Sequence, residues 1–423
     1  MIPARRLPKV TFVVEGLVTA IGGAERVLCD VASHLAEAGY EVDIVSHETT
    51  RGDPWYPLSD KVRYIPLRPA KDTHSQLRRY VSDPLRNGIS GLCHTLRLTR
   101  VPGLARLIWT DSQGGFWRRL QRYLAENQRD VAIAFMPRAM VALALARTSY
   151  PLVRIASTHT TPQRDFDSND GDNANIAMRA LARQSLEAFD RITVLLPEFQ
   201  DWFAAPIRAR AVVIPNAIAA PTQVRSYEAR ENLILSVGRL IPVKSHGILI
   251  EAWARIAPDF PGWTVEVYGQ GPERDGLQQQ VDALNLSASF RLMGADKDIG
   301  QHYRRAAILA HPSTQEGFAM VVAEALAAGV PAIGFADCPG VNSLIQGGVN
   351  GVLVKQTESR EQRVAGLASA LRQLITDNET REDLAANGPA SVARFSPDSI
   401  MALWEQMILD AVPATDQTAM RNA

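Results

Sequence analysis

Short apolar runs alternate with segments of helical period along most of the chain. Val10–Val14 is a near-continuous apolar run of the kind expected in a strand buried on both faces. A Gly22-Gly23 turn follows it. Val27, Val31 and Leu35, at four-residue spacing, then predict a helix that Gly39 closes. Val42–Ser46 reads as the next strand, and similar runs recur at Val62–Leu67, Val131–Phe135, Leu152–Ser157, Ile192–Leu196 and Val212–Ile214. The alternation lapses over residues 217–230, which read as a linker. It restarts at Leu233–Val237 and repeats through Val265–Tyr268, Phe290–Met293, Ile308–Ala310, Ala332–Phe335 and Val352–Val354. The prediction is an α/β fold of two Rossmann-like, doubly wound domains, residues 1–216 and 231–395. A last helix within residues 396–423 carries Ile400, Leu403, Trp404 and Met407, and its place after the second domain leaves it free to cross back to the first.

Composition narrows the class. A chain of 423 residues, 46% hydrophobic and 21% charged, is long enough for two or three ordinary globular domains. Lys+Arg 45 balance Asp+Glu 45, which argues against a nucleic-acid partner. The 3 cysteines, Cys29, Cys93 and Cys338, follow no metal or disulfide spacing and point to a reducing compartment. No run approaches the roughly 18 apolar residues of a membrane span, and Val10–Glu15 is too short for a secretory core. The expected location is therefore cytoplasmic, free or peripheral on the inner face of the membrane. Residues 71–122 bear on the second option: ten Lys/Arg stand there against three Asp, interleaved with Leu77, Trp109, Phe116 and Trp117. Such a mixture suits an anionic leaflet as well as a solvated insertion.

The candidate chemistry concentrates in the second domain. Glu316 and Glu324 stand eight positions apart, one in a turn and one inside the helix that the turn opens. A helix start offers unpaired N–H groups and a positive dipole end, a seat for phosphate. A carboxylate further along can accept both hydroxyls of a ribose. Arg239 and Lys244 follow the strand Leu233–Val237, at the strand end where open α/β sheets bind ligands. A planar fork and a mobile point charge there suit a diphosphate. Gly269, in Tyr268-Gly-Gln-Gly-Pro, marks either a ligand approach or a tight turn, and Gly22 and Gly23 carry the same ambiguity. His159 follows the strand Leu152–Ser157 and is placed to bond a sugar hydroxyl or to serve structure. Asp165-Phe-Asp167 and Asp170-Gly-Asp172 look like metal-binding pairs but lie in a polar stretch that reads as a solvated loop. No nucleophile elbow, P-loop or dinucleotide fingerprint is present.

Together the motifs resemble the retaining GT-B glycosyltransferases of family 4. The resemblance rests on Val237-Gly-Arg-Leu with Lys244, Gly269-Gln-Gly-Pro, Glu316-Gly-Phe through Glu324-Ala-Leu-Ala-Ala-Gly-Val-Pro, and Gly348-Val-Asn-Gly. In the first domain, Gly22-Gly-Ala-Glu-Arg-Val and Ile214-Pro-Asn are similar to the family as well. It implies a GT-B fold whose domains face each other across a cleft, with Arg239 and Lys244 on the donor diphosphate and Glu324 on the ribose. Glu316 would face the donor sugar, amides of Gly317, Phe318, Ala319, Met320 and Val321 would meet sugar or phosphate, and Gly294 and Ala295 would lie by the base. It further implies no metal and no cofactor. Ser343 stands where the family commonly has glutamate.

The expected activity is transfer of a hexosyl unit from a nucleotide diphosphate sugar, a UDP-sugar before GDP-mannose. The acceptor would be a saccharide or a polyprenyl-diphosphate-linked glycan in exopolysaccharide or lipopolysaccharide assembly. A sugar-nucleotide epimerase of the same architecture, and a non-catalytic scaffold subunit of a transferase complex, are the alternatives.

Overall fold

The computed structural model describes residues 6–18, 22–68, 115–167, 176–219, 230–355 and 359–413. Two compact units make up the chain, Met1–Ile214 together with Met401–Ala423, and Pro215–Ile400.

The first unit holds a 7-stranded parallel sheet of β1 (Lys9–Val14), β2 (Glu41–Ser46), β3 (Arg63–Pro66), β4 (Val131–Phe135), β5 (Val153–Ser157), β6 (Arg191–Val194) and β7 (Ala211–Val213). Their order is β3-β2-β1-β4-β5-β6-β7, so the winding reverses between β1 and β4. Phe12 of β1 stands in register with Ile44 and Ile133, and all three are fully buried. Strands covered on both faces have no solvent side, which is why their sequence reads as apolar runs rather than alternation. The helix Gly23–Glu37 turns Val27, Leu28, Val31 and Leu35 inward and ends before Gly39, whose φ of +97° suits a residue without Cβ.

Toward the amino ends of these strands a charge cluster is enclosed. Arg129 and Asp43 pair with side chains only 2% exposed. Arg63 grips the same carboxylate with two bonds, 2.9 and 2.6 Å, and the Tyr123 hydroxyl donates to it. Burying such charges is tolerated because each has several partners.

The helix Phe116–Glu126 corrects the reading of the basic stretch at its end. Phe116 and Leu120 are fully buried, so residue 116 faces the domain interior and is not available to a leaflet. The rest of that stretch, residues 71–114, lies outside the described residues, as do Asp170-Gly-Asp172 and residues 220–229. The expected linker is also packed at both described ends. Ile218 is buried and donates its N–H to Phe395 at 2.8 Å. Arg230 donates to the carbonyls of Tyr303, Ala306 and Ala328.

The helix Pro397–Ala411 delivers residues from Met401 onward to the first unit. Trp404, 1% exposed, lies nearly parallel to Phe135 at 6.2 Å, and Glu405 meets His34 at 2.6 Å. Among the described residues no helix is long and apolar enough to cross a membrane.

The second unit repeats the topology in a 6-stranded parallel sheet of β8 (Leu233–Val237), β9 (Thr264–Tyr268), β10 (Phe290–Gly294), β11 (Ile308–His311), β12 (Ala332–Phe335) and β13 (Gly351–Val354). The order is β10-β9-β8-β11-β12-β13, reversing between β8 and β11. Trp253, Leu249, Val364, Leu367 and Leu371 of the helices His246–Ala254 and Arg360–Thr376 cover one face. Both units are thus Rossmann-like, and the chain has the GT-B fold.

Candidate active site

Beyond the switch point between β8 and β11 the second unit brings together Lys244, Glu316 and His311. Beyond Val237 the chain leaves β8 through Gly238 and Arg239, and Leu240 is buried beneath the loop. The loop is clamped by backbone bonds, Gly238 N–H to the Tyr268 carbonyl and Leu240 N–H to the Gln270 carbonyl, both 2.9 Å. Gly269 is needed for that clamp: a Cβ there would stand 1.8 Å from the Gly238 oxygen. Gly271 is pressed the same way against Leu240. The two glycines therefore answer the sequence ambiguity with backbone against backbone, and their effect is to fix the loop that presents Arg239. Arg239 is exposed, and its guanidinium has no hydrogen bond or ion pair among the described residues.

From the other side of the switch point, β11 ends at His311 and continues into the Glu316 loop. Ser313 and Thr314 hydroxyls, with the Thr314 N–H, all bond the Val243 carbonyl and lock this loop to the turn Pro242–Lys244. Lys244 Nζ then meets Glu316 Oε1 at 2.5 Å, and His311 Nε2 meets the same oxygen at 2.7 Å. The side chains of Lys244, Glu316 and His311 are 16%, 13% and 2% exposed. Burial opposes the charge on Glu316, yet Lys244 and His311 hold its carboxyl far below the usual carboxylate range. Burial keeps the His311 imidazole below its ordinary value, against the pull of Glu316. Close by, burial lowers His246 to about 4, helped by His311 and Lys244. Gly340 supports the loop from beneath, donating to the Glu316 carbonyl at 3.2 Å, where a Cβ would collide with Glu316 and Phe318 backbone. Glu316 Oε1 is thus shared by Lys244 and His311.

The loop Gly317-Phe318-Ala319 opens the helix Met320–Ala327. Phe318 is buried edge-on against Phe395 at 5.0 Å. Ala319 adopts φ +48°, uncommon without glycine, and brings no side chain to cap the helix. Among the described residues no side chain caps the first-turn N–H groups around Met320 and Val321. One turn on, Glu324 is half-buried and accepts from the Tyr303 hydroxyl at 2.9 Å. Gly294, with φ +85°, and exposed Ala295 end β10, and the Gly294 carbonyl accepts the Gly269 N–H at 2.8 Å. Asp296 beside them is held by His302 at 2.9 Å, whose ring stacks on Tyr268.

His159, Gly22 and Gly23 belong to the first unit. Gly22 precedes the helix that Gly23 begins, in extended conformation. The His159 ring stacks on Phe135 at 4.5 Å, and Nε2 meets the Ser157 hydroxyl at 2.8 Å, which in turn meets Thr193 at 2.9 Å. Its orientation is thus fixed from two sides. Asp165 departs from expectation. It is 2% exposed on the short helix Pro162–Phe166, not in a solvated loop, because Phe166 packs on Trp202 and Phe203 and carries the segment inward. Burial pushes its carboxyl up to about 7, while the Thr160 hydroxyl at 2.6 Å pulls the other way. Asp167 pairs with Arg183.

His311, Tyr303 and Gly340 were not singled out from sequence. His311 had a signal, since it ends an apolar strand run. Tyr303 and Gly340 act on partners distant in the chain and had none.

Two Rossmann-like units, with Arg239, Lys244 and Glu316 gathered beyond the strand ends of the second, define a glycosyltransferase of the GT-B class. Residues 21–220 match Glycosyltransferase Family 4, and residues 222–391 match Glycosyl transferases group 1. The chain belongs to the group 1 GT-B glycosyltransferases. It is 27% identical over 405 residues to an exopolysaccharide phosphotransferase of Streptomyces coelicolor, covering 94% of this chain and 40% of that relative's length. It is 22% identical to the amylovoran biosynthesis glycosyltransferase AmsD of Erwinia amylovora, covering 95% and 99% of the two chains. Among solved structures, Anabaena HepE in complex with UDP is similar at a TM-score of 0.67 and 20% identity, covering 95% and 100%.

Proposed function

We propose that the protein transfers a hexosyl unit from a nucleotide diphosphate sugar to a saccharide or lipid-linked acceptor in surface polysaccharide assembly, with retention at the anomeric carbon. The observation that carries this is the exposed Arg239 on the loop that leads from β8 to Lys244, with the Lys244–Glu316 pair and the uncapped start of Met320–Ala327. Arg239 and Lys244 stabilise the departing diphosphate, a preorganised electrostatic contribution. The helix start receives phosphate or sugar oxygens, and Glu324, steadied by Tyr303, accepts the ribose hydroxyls. No side-chain carboxylate of this unit is assigned as a nucleophile, so displacement is front-face, with the leaving phosphate oxygen receiving the acceptor proton. No metal is assigned to the reaction.

UDP is the favoured nucleotide, supported by its presence in the HepE complex, with GDP next. Glycan assembly as the setting is supported by the amylovoran relative. A cytoplasmic location, free or peripheral at the membrane, is supported by the buried free thiols Cys29 and Cys338.

Thermal shift with UDP, GDP and ADP tests the donor, since a ligand of the native state alone raises apparent stability. Stabilisation by none of them rejects the reading. Release of free nucleotide with a lengthened glycan separates a transferase from an epimerase, which needs no acceptor. Sedimentation with anionic liposomes at low salt tests attachment, and absence of binding there removes it.

A further inference from the structure

Glu316 Oε1 carries two partners of different mobility. Lys244 reaches it at 2.5 Å from the end of a short turn, on a flexible four-carbon stem. His311 reaches it at 2.7 Å from the last position of β11, 2% exposed and fixed by its strand. A carboxylate only accepts hydrogen bonds, so Nε2 of His311 carries the proton it shares with Oε1. An arriving diphosphate attracts Lys244 away from Glu316, and the carboxylate would be left charged and buried.

We propose that His311 is the positioning residue of the donor site, holding Glu316 in place when Lys244 turns to the diphosphate and taking up one proton as it does so. The inference rests on the donor reading above and deepens it. The proton enters from solvent onto Nδ1, because Nε2–H is already donated, and no other bond changes.

The surroundings leave few rivals for that proton. Lys244 and His246 face the cluster from the segment after β8, Glu316 from its own loop, and Cys338 from the segment beneath. His246 stays neutral because burial, then His311 and Lys244, oppose its charge. Cys338 keeps its proton, pushed up to about 12 by burial and then by Glu316. In the resting state burial and the Lys244 charge both oppose a second proton on His311. Removing the Lys244 charge leaves the pull of Glu316, so the sign of the change is upward.

The test is an NMR titration of the histidine rings in the full chain, for wild type and Lys244→Met, with a kinetic arm on His311→Gln. In Lys244→Met the His311 midpoint is expected to move to higher pH with no nucleotide present. Wild type saturated with UDP or GDP, whichever stabilises it, is expected to move the same way. His311→Gln, whose amide still donates to Oε1, should retain the fold and lose the wild-type pH dependence of donor KM. An unmoved or lowered midpoint in Lys244→Met overturns the proposal. A shift in Lys244→Met without one on diphosphate binding overturns the coupling. If no nucleoside diphosphate binds, the donor reading fails separately, and Lys244→Met still judges His311.

Discussion

Each unit encloses an ionic cluster, and the two sit at opposite ends of their sheets. In the first unit Arg129, Asp43, Arg63 and Tyr123 close on one another toward the amino ends of β2, β3 and β4. In the second, Lys244, Glu316 and His311 meet beyond the carboxyl ends of β8 and β11, with Arg239 exposed on the loop that follows β8. The chemistry of the groups is nearly the same. In the first cluster every charge is answered by another residue of the fold. The second adjoins a cation and a helix start that the described residues leave open to a ligand. Buried charge by itself therefore does not mark a site; its place relative to strand direction does.

That contrast can be broken by mutation. Arg129→Met leaves Asp43 short of a buried partner and should cost about 3–5 kcal/mol of stability. Urea unfolding reads this, and donor KM measured on the folded enzyme should not change. Arg239→Ala should do the reverse, lowering kcat/KM by about 1.5–3 kcal/mol, roughly 10- to 150-fold, with an unfolding midpoint near wild type. Wild-type turnover in that variant would sink the diphosphate assignment. Gly340→Ala forces a methyl into the Glu316 and Phe318 backbone. It should cost about 1–3 kcal/mol, and it links the two kinds of effect by lowering both stability and turnover. Tyr303→Phe removes one hydrogen bond to Glu324. It should raise donor KM by about 0.5–1.5 kcal/mol and leave kcat close to wild type, as a change in both would place Tyr303 nearer the reacting atoms.

Much of this architecture was legible in the residues, and for a physical reason. Parallel strands covered on both faces must be apolar along their length, so Val10–Val14 and Leu233–Val237 announce themselves. Arg239, Lys244 and Glu316 were legible because strand ends and helix starts are readable locally. Asp165 was not: its neighbours Arg164 and Asp167 look like a solvated loop, and the aromatic cover of Trp202 and Phe203 arrives from a distant segment. Gly269 was half legible. Sequence marked a turn needing no Cβ, but only the placement of Gly238 explains why. His311 shows the same limit, since its importance comes from sharing one oxygen with Lys244.

The helix that brings Trp404 against Phe135 also sets a timetable for biogenesis. Most of the first unit is made before the second, yet its closing helix emerges only after all of Pro215–Ile400 has been made. At ~5–20 residues per second that is a wait of roughly ten to forty seconds. During that interval the Phe135 ring and the helix bearing His34 lack their cover, so the nascent chain presents an unfinished apolar surface that holdase chaperones are suited to shield.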